Sequence, residues 1–527
     1  MKMKKVISLI LIIAMTMIPI VSCGSKSMDE AFGNMTNAMG GNDYLYAPSD
    51  KNDGLLDMEA AEEDINASSP MPSTPDKYEE TNKFIENRFI LTETENVSTF
   101  SSDVDTASYS YFRRLVNQGY SLSELISTAG SSIRTEEMIN YFNYNYPSPK
   151  DDELFSTTMQ IAPCPYNEEA ALLVLGLQAK EIELAQKNNL VFLVDVSGSM
   201  NSEDKLGLLK KTFSHLTDKL GDDDVISIVT YSGNEEVVLD GCSGAKKDKI
   251  LKAVNGLSAK GSTNGEAGLK KAYQLAEKHF IKGGNNRIIM ASDGDLNVGI
   301  SSVEELKTFI EQKRDSGVFL SVLGFGTGNY KDAQMETIAD CGNGVYYYID
   351  SETEAEKVFG TDIFSTLYTI AKDVKLQLTF NRDVIHSYRL VGYENRLLNK
   401  EDFEDDKKDA GDLGAGHSLT VCYELILKDT AESTDEDWMS LSVRYKAPDA
   451  DKSEQNDYTF SRANYTTTPD DNFKFVCSVI ELSMLLHKSE YAKSIMIKDI
   501  KDDLCALKLD DEYKVQFKDL IGKLIKN

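Results

Sequence analysis

Leu190-Val191-Phe192-Leu193-Val194-Asp195-Val196-Ser197-Gly198-Ser199-Met200 is the stretch that decides the fold. Its unbroken apolar run reads as a strand buried on both faces, the condition of strands in parallel sheets. Asp195, Ser197 and Ser199 follow at every second position and lead into a turn. They would therefore leave the sheet at its carboxyl edge, where open α/β sheets place their ligand sites. All three offer oxygen and none offers nitrogen or sulfur. That donor set suits a hard divalent cation, Mg2+ first, with Mn2+ and Ca2+ taking the same atoms.

Working outward, strands and amphipathic helices alternate from residue 189 to about 370. Lys205 to Gly221 carries Leu206, Leu209, Phe213, Leu216 and Leu220 on one helical face. Val225 to Tyr231 follows as a strand, Gly265 to Phe280 as a helix and Arg287 to Ser292 as a strand. Val303 to Arg314 (helix), Val318 to Leu323 (strand), Asp332 to Ala339 (helix) and Val345 to Ile349 (strand) complete the series. Such alternation predicts right-handed crossovers and a doubly wound parallel α/β sheet covered by helices on both faces.

Two later loops can close a site around Asp195. Gly261-Ser262-Thr263-Asn264-Gly265 opens a helix and offers Thr263, and Ser292-Asp293-Gly294-Asp295 ends a strand and offers Asp293. Both lie where a strand or loop feeds a helix, which in this fold is one edge of the sheet. The competing reading of the first segment is a helix N-cap, with Ser199 capping a strand-to-helix turn.

These three segments resemble the von Willebrand factor type A domain and its metal-ion-dependent adhesion site. That family combines D-x-S-x-S, a threonine in a Gly-rich loop, and an aspartate in a T/S-D-G turn. Asp195, Ser197, Ser199, Thr263 and Asp293 match all five positions. The resemblance implies a Mg2+ held by these residues, with the last coordination position taken by an Asp or Glu of a partner protein.

The flanks extend the likeness. Phe100-Ser101-Ser102-Asp103-Val104-Asp105-Thr106-Ala107-Ser108-Tyr109 and Arg134-Thr135-Glu136-Glu137-Met138-Ile139-Asn140-Tyr141-Phe142 resemble the N-terminal flank of bacterial YfbK-type lipoproteins. Ser101 to Gln118 and Ile133 to Phe142 read as helices, and residues 155–186 alternate like strands. Beyond Asp373 the chain is β-rich again (Val374 to Phe380, Ser418 to Leu427, Met439 to Tyr445) before helices at Phe473 to His487 and Asp511 to Ile525. Strands on the two sides are expected to share one sandwich-like sheet system, with the α/β unit inserted between its halves. The expected parts are a signal peptide (1–22), a disordered tether (23–80), an N-terminal flanking domain (81–186), the A-type domain (187–370) and a C-terminal flanking domain (371–527).

The N-terminus predicts where the protein resides. Lys2, Lys4 and Lys5 precede an apolar core from Val6 to Ile20, short for a membrane span and suited to a secretory signal. Ile20-Val21-Ser22-Cys23 resembles a bacterial lipobox, which implies lipidation of Cys23. The Asn-, Gly-, Ser- and Pro-rich stretch after it reads as a spacer. An extracytoplasmic protein of the cell envelope, held to the membrane by acyl chains alone, is the expectation.

Composition narrows the partners. With 56 basic and 86 acidic residues in 527, the net charge is −30, and no broad basic face is available for nucleic acid. The cysteines beyond Cys23 are scattered without a CxxC pair, which disfavours zinc and leaves disulfides and buried thiols both open. None of the five histidines falls in HExxH, and GxSxG and Walker A sequences are absent. Asp293-Gly294-Asp295-Leu296-Asn297 with Glu304 mimics a calcium loop, but Val298 stands where that loop needs glycine. A membrane-tethered, metal-dependent protein-binding module, not an enzyme, is the expected function. The alternatives are a metal-assisted hydrolase, with Asp295, Asn264 or Glu266 near the site, and a structural subunit of an envelope complex.

Overall fold

The computed structural model describes residues 85–527 apart from 182–186, 262–264, 295–302, 327–331, 363–364, 366, 435, 449, 492–494, 510 and 527. The expected signal peptide, Cys23 and the tether lie outside the described residues. So does Thr263.

The decisive stretch forms the strand Asn188–Asp195, buried along its whole length. It lies inside a six-stranded sheet. In spatial order the strands are Tyr346–Tyr348, Phe319–Gly324, Asn285–Ser292, Asn188–Asp195, Val225–Tyr231 and Glu235–Ser243. The first five run parallel. Glu235–Ser243 departs from the all-parallel expectation: it turns back antiparallel on Val225–Tyr231 and covers that edge. It begins with the exposed Glu235 and Glu236 and is only partly buried beyond them, so it lacks the apolar run that marks the other strands. Helices Leu208–Lys219, Gly265–Lys278, Val303–Arg314 and Asp332–Cys341 are the crossovers. Lys247–Asn255 adds a further helix that periodicity had not separated from its neighbours.

Two antiparallel sheets flank this unit, and each joins strands from both sides of it in sequence. One orders Ile90–Leu91, Ile385–Val391, Ser418–Leu427, Ala171–Ala179 and Phe155–Pro163. The other orders Leu397–Leu398, Val97–Ser101, Thr369–Phe380, Asp437–Lys446 and Ser453–Ser461. Residues 171–179 pair with 418–427 and residues 97–101 pair with 375–379. The α/β unit is thus inserted between two halves of a β-rich host. The helix expected from Ser101 begins later, at Ala107, because Val97–Ser101 is a strand of the second sheet.

The host has three layers, and strand Ala171–Ala179 shows why. It is buried at every position. Leu173, Leu175 and Leu177 join the core between the two sheets, while Leu172 and Val174 join a second core under the helices. The two-residue period of a strand sends alternate side chains to opposite faces, so an uninterrupted apolar strand needs cover on both. Phe380 stacks on Tyr388 across the sheets, with ring centroids 4.3 Å apart. On the outer face, helices Ala107–Asn117, Leu122–Thr128 and Thr135–Asn140 meet Asp471–His487, Ile497–Ala506 and Glu512–Leu524. Phe142, Phe475 and Phe517 lock these helices together edge to face. Ile497–Ala506 is a third C-terminal helix that was not anticipated.

Arg113 ties this helical layer to the inserted unit. Its guanidinium reaches Asp350 and Glu354, and its Nη1 donates to the Tyr141 hydroxyl at 2.7 Å. All six described cysteines outside the N-terminal region are free thiols, and Cys164, Cys242, Cys422 and Cys477 are buried. Among the described residues, no helix is long and apolar enough to cross a membrane.

Candidate functional site

Strand register brings the first and last predicted segments together. Asn188–Asp195 pairs in parallel with Asn285–Ser292, Val194 opposite Ala291, so Asp195 and Ser292 emerge side by side at the carboxyl edge. Ser292 Oγ lies 3.4 Å from Asp195 Oδ2. Gly294 then turns the chain at φ +92°, a conformation that accounts for the glycine after Asp293. Its N–H donates to Ser292 Oγ at 3.2 Å, folding the turn back over the strand end.

The D-x-S-x-S segment is held from both sides. Asp195 Oδ1 accepts the Ser197 N–H at 2.8 Å, and the Ser197 and Ser199 hydroxyls lie 2.9 Å apart. Asp195 is 0% exposed, while Ser197 and Asp293 are nearly as buried. Ser199 is exposed. The capping alternative is not what these residues do. Residues 198–200 form one short turn with no side-chain cap, and the next helical turn, Glu203–Gly207, follows Ser202 and runs on into Leu208–Lys219. Gly198 N–H donates to the Gly261 carbonyl at 3.0 Å, and Lys260 N–H to the Val196 carbonyl at 2.6 Å. The loop that leads into residues 262–264 is therefore anchored on the D-x-S-x-S turn.

Burial dominates the electrostatics here. It pushes the Asp195 carboxyl up to about 6, with the nearby Asp293 charge adding to the rise and the Ser197 hydrogen bonds opposing it. Tyr231, paired with Asp195 on the other side, is held well above the usual phenol range by burial and by the Asp195 charge. Its hydroxyl is buried beside the Asp195 carboxylate and Ser292. A buried carboxylate beside two converging hydroxyls, one of them exposed, is a donor set made of oxygen alone. The residues fit a hard divalent cation.

Lys205 is the neighbour that motif reading missed. Its ammonium donates to Asp293 Oδ2 at 2.8 Å and to the Ser199 carbonyl at 2.9 Å. Its stem passes over Gly326, where a Cβ would sit 2.2 Å from Lys205 Cε. Lys205 precedes the first apolar residue of its helix, a position that ordinarily signals only a solvated helix start. Of the acid or base candidates named beside the site, Asp295 and Asn264 lie outside the described residues, and Glu266 pairs with Lys270 one helical turn on.

Comparison with known proteins agrees with this layout. Residues 189–361 match the von Willebrand factor type A domain, residues 75–174 the pattern described as "von Willebrand factor", and residues 365–526 the pattern "Uncharacterized protein YfbK, C-terminal". The Escherichia coli K12 protein described as "Uncharacterized protein YfbK" is 37% identical over 452 residues, covering 81% of this chain and 77% of that one. The human inter-alpha-trypsin inhibitor heavy chain H3 is 26% identical over 265 residues, 47% of this chain and 29% of that one. Among solved structures, a von Willebrand factor type A protein from Catenulispora acidiphila covers 71% of this chain and 93% of its own, at 15% identity and a TM-score of 0.40. An inserted A-type domain, an N-terminal flank that shares its host sheets and a C-terminal region of matching pattern make this chain a member of the YfbK family of von Willebrand factor type A domain proteins.

Proposed function

We propose that this protein is a lipid-anchored protein of the cell envelope whose A-type domain captures a protein partner through a divalent cation. A-type domains as a family generally bind protein ligands and often serve in adhesion. In this reading Cys23 carries the acyl chains, residues 23–80 extend the folded part from the membrane, and the site faces outward. Asp195, Ser197, Ser199, Thr263 and Asp293 would hold Mg2+. When bound, the ion supplies an electrophilic position that a carboxylate of the partner can fill.

The observation that carries the reading is the desolvated Asp195 carboxylate beside the paired hydroxyls of Ser197 and Ser199 at the sheet's carboxyl edge. Asp195 orients the turn through the Ser197 N–H, and exposed Ser199 presents its hydroxyl to an approaching acidic group. A net charge of −30 opposes an acidic partner at long range, so recognition would rest on contacts close to the ion. Binding instead of hydrolysis is favoured because Glu266, the described candidate base, is engaged by Lys270.

The test is a crosslinking pull-down from membranes, run with Mg2+ and with EDTA, using the natural chain and D195A. Capture that requires both Mg2+ and Asp195 supports the proposal. Equal capture in all four arms would falsify it.

A further inference from the structure

Adjacent arginines on helix Ala107–Asn117 of the N-terminal flank are used in opposite ways. Arg113 commits its guanidinium to Asp350, Glu354, Tyr141 and Gln516. Arg114 is also buried, at 7% exposure, yet among the described residues its side chain bonds only the Asp204 carboxylate, through Nη2. Its Nε and Nη1 are buried without an acceptor. Unpaired N–H groups in the interior are costly, so packing alone does not explain a guanidinium there. The Asp204 side chain that anchors it is 48% exposed.

Asp204 immediately precedes Lys205, and both belong to the turn Glu203–Gly207 that follows the D-x-S-x-S segment. The turn is wider than an α-helix: Gly207 N–H reaches past the usual partner to the Ser202 carbonyl, at 3.1 Å. Such turns are rare and recur at functional positions. This one sends neighbouring side chains to different places. Asp204 reaches out to the flank, while Lys205 reaches in to Asp293 and the Ser199 carbonyl. Arg114 also braces the lysine from the other side. Its guanidinium lies over the Tyr348 ring at 5.9 Å, and the Tyr348 hydroxyl donates to the Gly326 carbonyl at 2.7 Å. Gly326 in turn underlies the Lys205 stem.

We propose that Arg114 makes an autoinhibitory contact: through Asp204 and the wide turn, the N-terminal flank holds the Lys205 ammonium on Asp293, in competition with a divalent cation. This regulation rests on the metal binding proposed above for Asp195 and its neighbours. It adds a control that lies outside the A-type domain, because loss of the Arg114–Asp204 contact frees Lys205 to leave Asp293. The contact is also built to be given up. A single half-exposed carboxylate anchors Arg114, and its unpaired Nε and Nη1 gain water when it withdraws. Arg113, with every contact buried, is the permanent tie between the same two units.

The first measurement needs no metal. The full chain is labelled with acetic anhydride in EDTA, and the reaction rate of the Lys205 amine is read by mass spectrometry. R114M should raise that rate about threefold or more, and D204N, which breaks the same contact from its exposed side, should do likewise. Unchanged rates in both variants overturn the proposal. The second measurement is Mg2+ titration calorimetry. R114M should tighten binding about threefold in the natural chain and leave it unchanged in a K205M background. An equal gain in both backgrounds, or no gain in either, overturns action through Lys205. Faster labelling of Lys205 with no Mg2+ uptake by the natural chain would instead defeat the metal-binding reading, and the inhibition with it, while leaving the contact itself in place.

Discussion

The Lys205 ammonium stands 2.8 Å from Asp293 Oδ2, inside the constellation that would hold Mg2+. A side-chain cation already neutralises the carboxylate that the metal has to recruit. Lys205 is 16% exposed and Asp293 2%, so the pair is only partly screened by water. K205M removes this competitor while keeping the apolar stem over Gly326. Mg2+ affinity measured by titration calorimetry should rise about three- to tenfold, roughly 1 kcal/mol. A weaker affinity would show that the lysine supports the metal.

Arg389 and Glu424 face each other across paired strands of the host sheet and are both at most 1% exposed. The guanidinium makes two bonds to the carboxylate, at 3.1 and 2.5 Å, and its flat face covers the Tyr491 ring at 4.0 Å. Losing one partner strands the other charge in the core. R389M should cost about 3–5 kcal/mol in urea unfolding, and the double variant R389M/E424M should recover part of it. A loss below 1 kcal/mol in the single variant would contradict this account.

Glu481 lies buried in helix Asp471–His487. Burial pushes its carboxyl up to about 8, and the charges of Asp503 and Asp499 add to the rise. Because the folded value lies above the unfolded one, its contribution to stability is full below about pH 4.5 and is lost as pH rises through 8. E481Q keeps the shape without the charge. It should therefore raise stability at pH 8 on the order of 1–3 kcal/mol and change little at pH 4. Thermal unfolding at the two pH values separates the cases, and an equal effect at both would refute a titration origin.

Gly176 sits under the Tyr146 ring, where a Cβ would lie 2.4 Å from the ring carbon Cζ. The ring cannot shift freely, since its hydroxyl bonds Thr420 Oγ1 at 3.0 Å. G176A should destabilise by about 1–3 kcal/mol through overpacking. Y146A made alongside it should relieve the clash, so non-additivity in a double-mutant cycle is the measurement. Additive losses would mean that the two residues do not press on each other.

Much of this fold can be read from the chain because its elements announce themselves. The run 190–194 is apolar without alternation, and only a strand covered on both faces accommodates that. The helix Leu208–Lys219 buries Leu209, Phe213 and Leu216, the stripe that its spacing predicts. Edges are harder to read. Glu235–Ser243 and Val97–Ser101 are short or half-exposed, and what makes them strands is a partner elsewhere in the chain. At the site, oxygen-bearing residues at alternate positions after a buried strand were legible. Lys205 was not, because a lysine before a helix carries no signal until tertiary structure aims it. The same holds for the contact that reaches it from the flank. Arg114 and Asp204 are far apart in sequence, and nothing local says they will meet.

The host sheets have a consequence for the order in which the protein assembles. Residues 171–179 cannot be completed until residues 418–427 have been synthesised, and the whole A-type domain lies between them. That domain builds its own sheet from strands close in sequence, so it can mature on the ribosome or beyond it while the earlier β-strands still wait. During that interval Ala171–Ala179 presents an all-apolar ribbon with one flank unpaired, a template for aggregation. Long-range closure of this kind is slow, since the entropy of the large intervening loop is spent before the last strands dock. The inserted layout thus leaves the early strands of this chain waiting for partners that lie beyond the whole A-type domain.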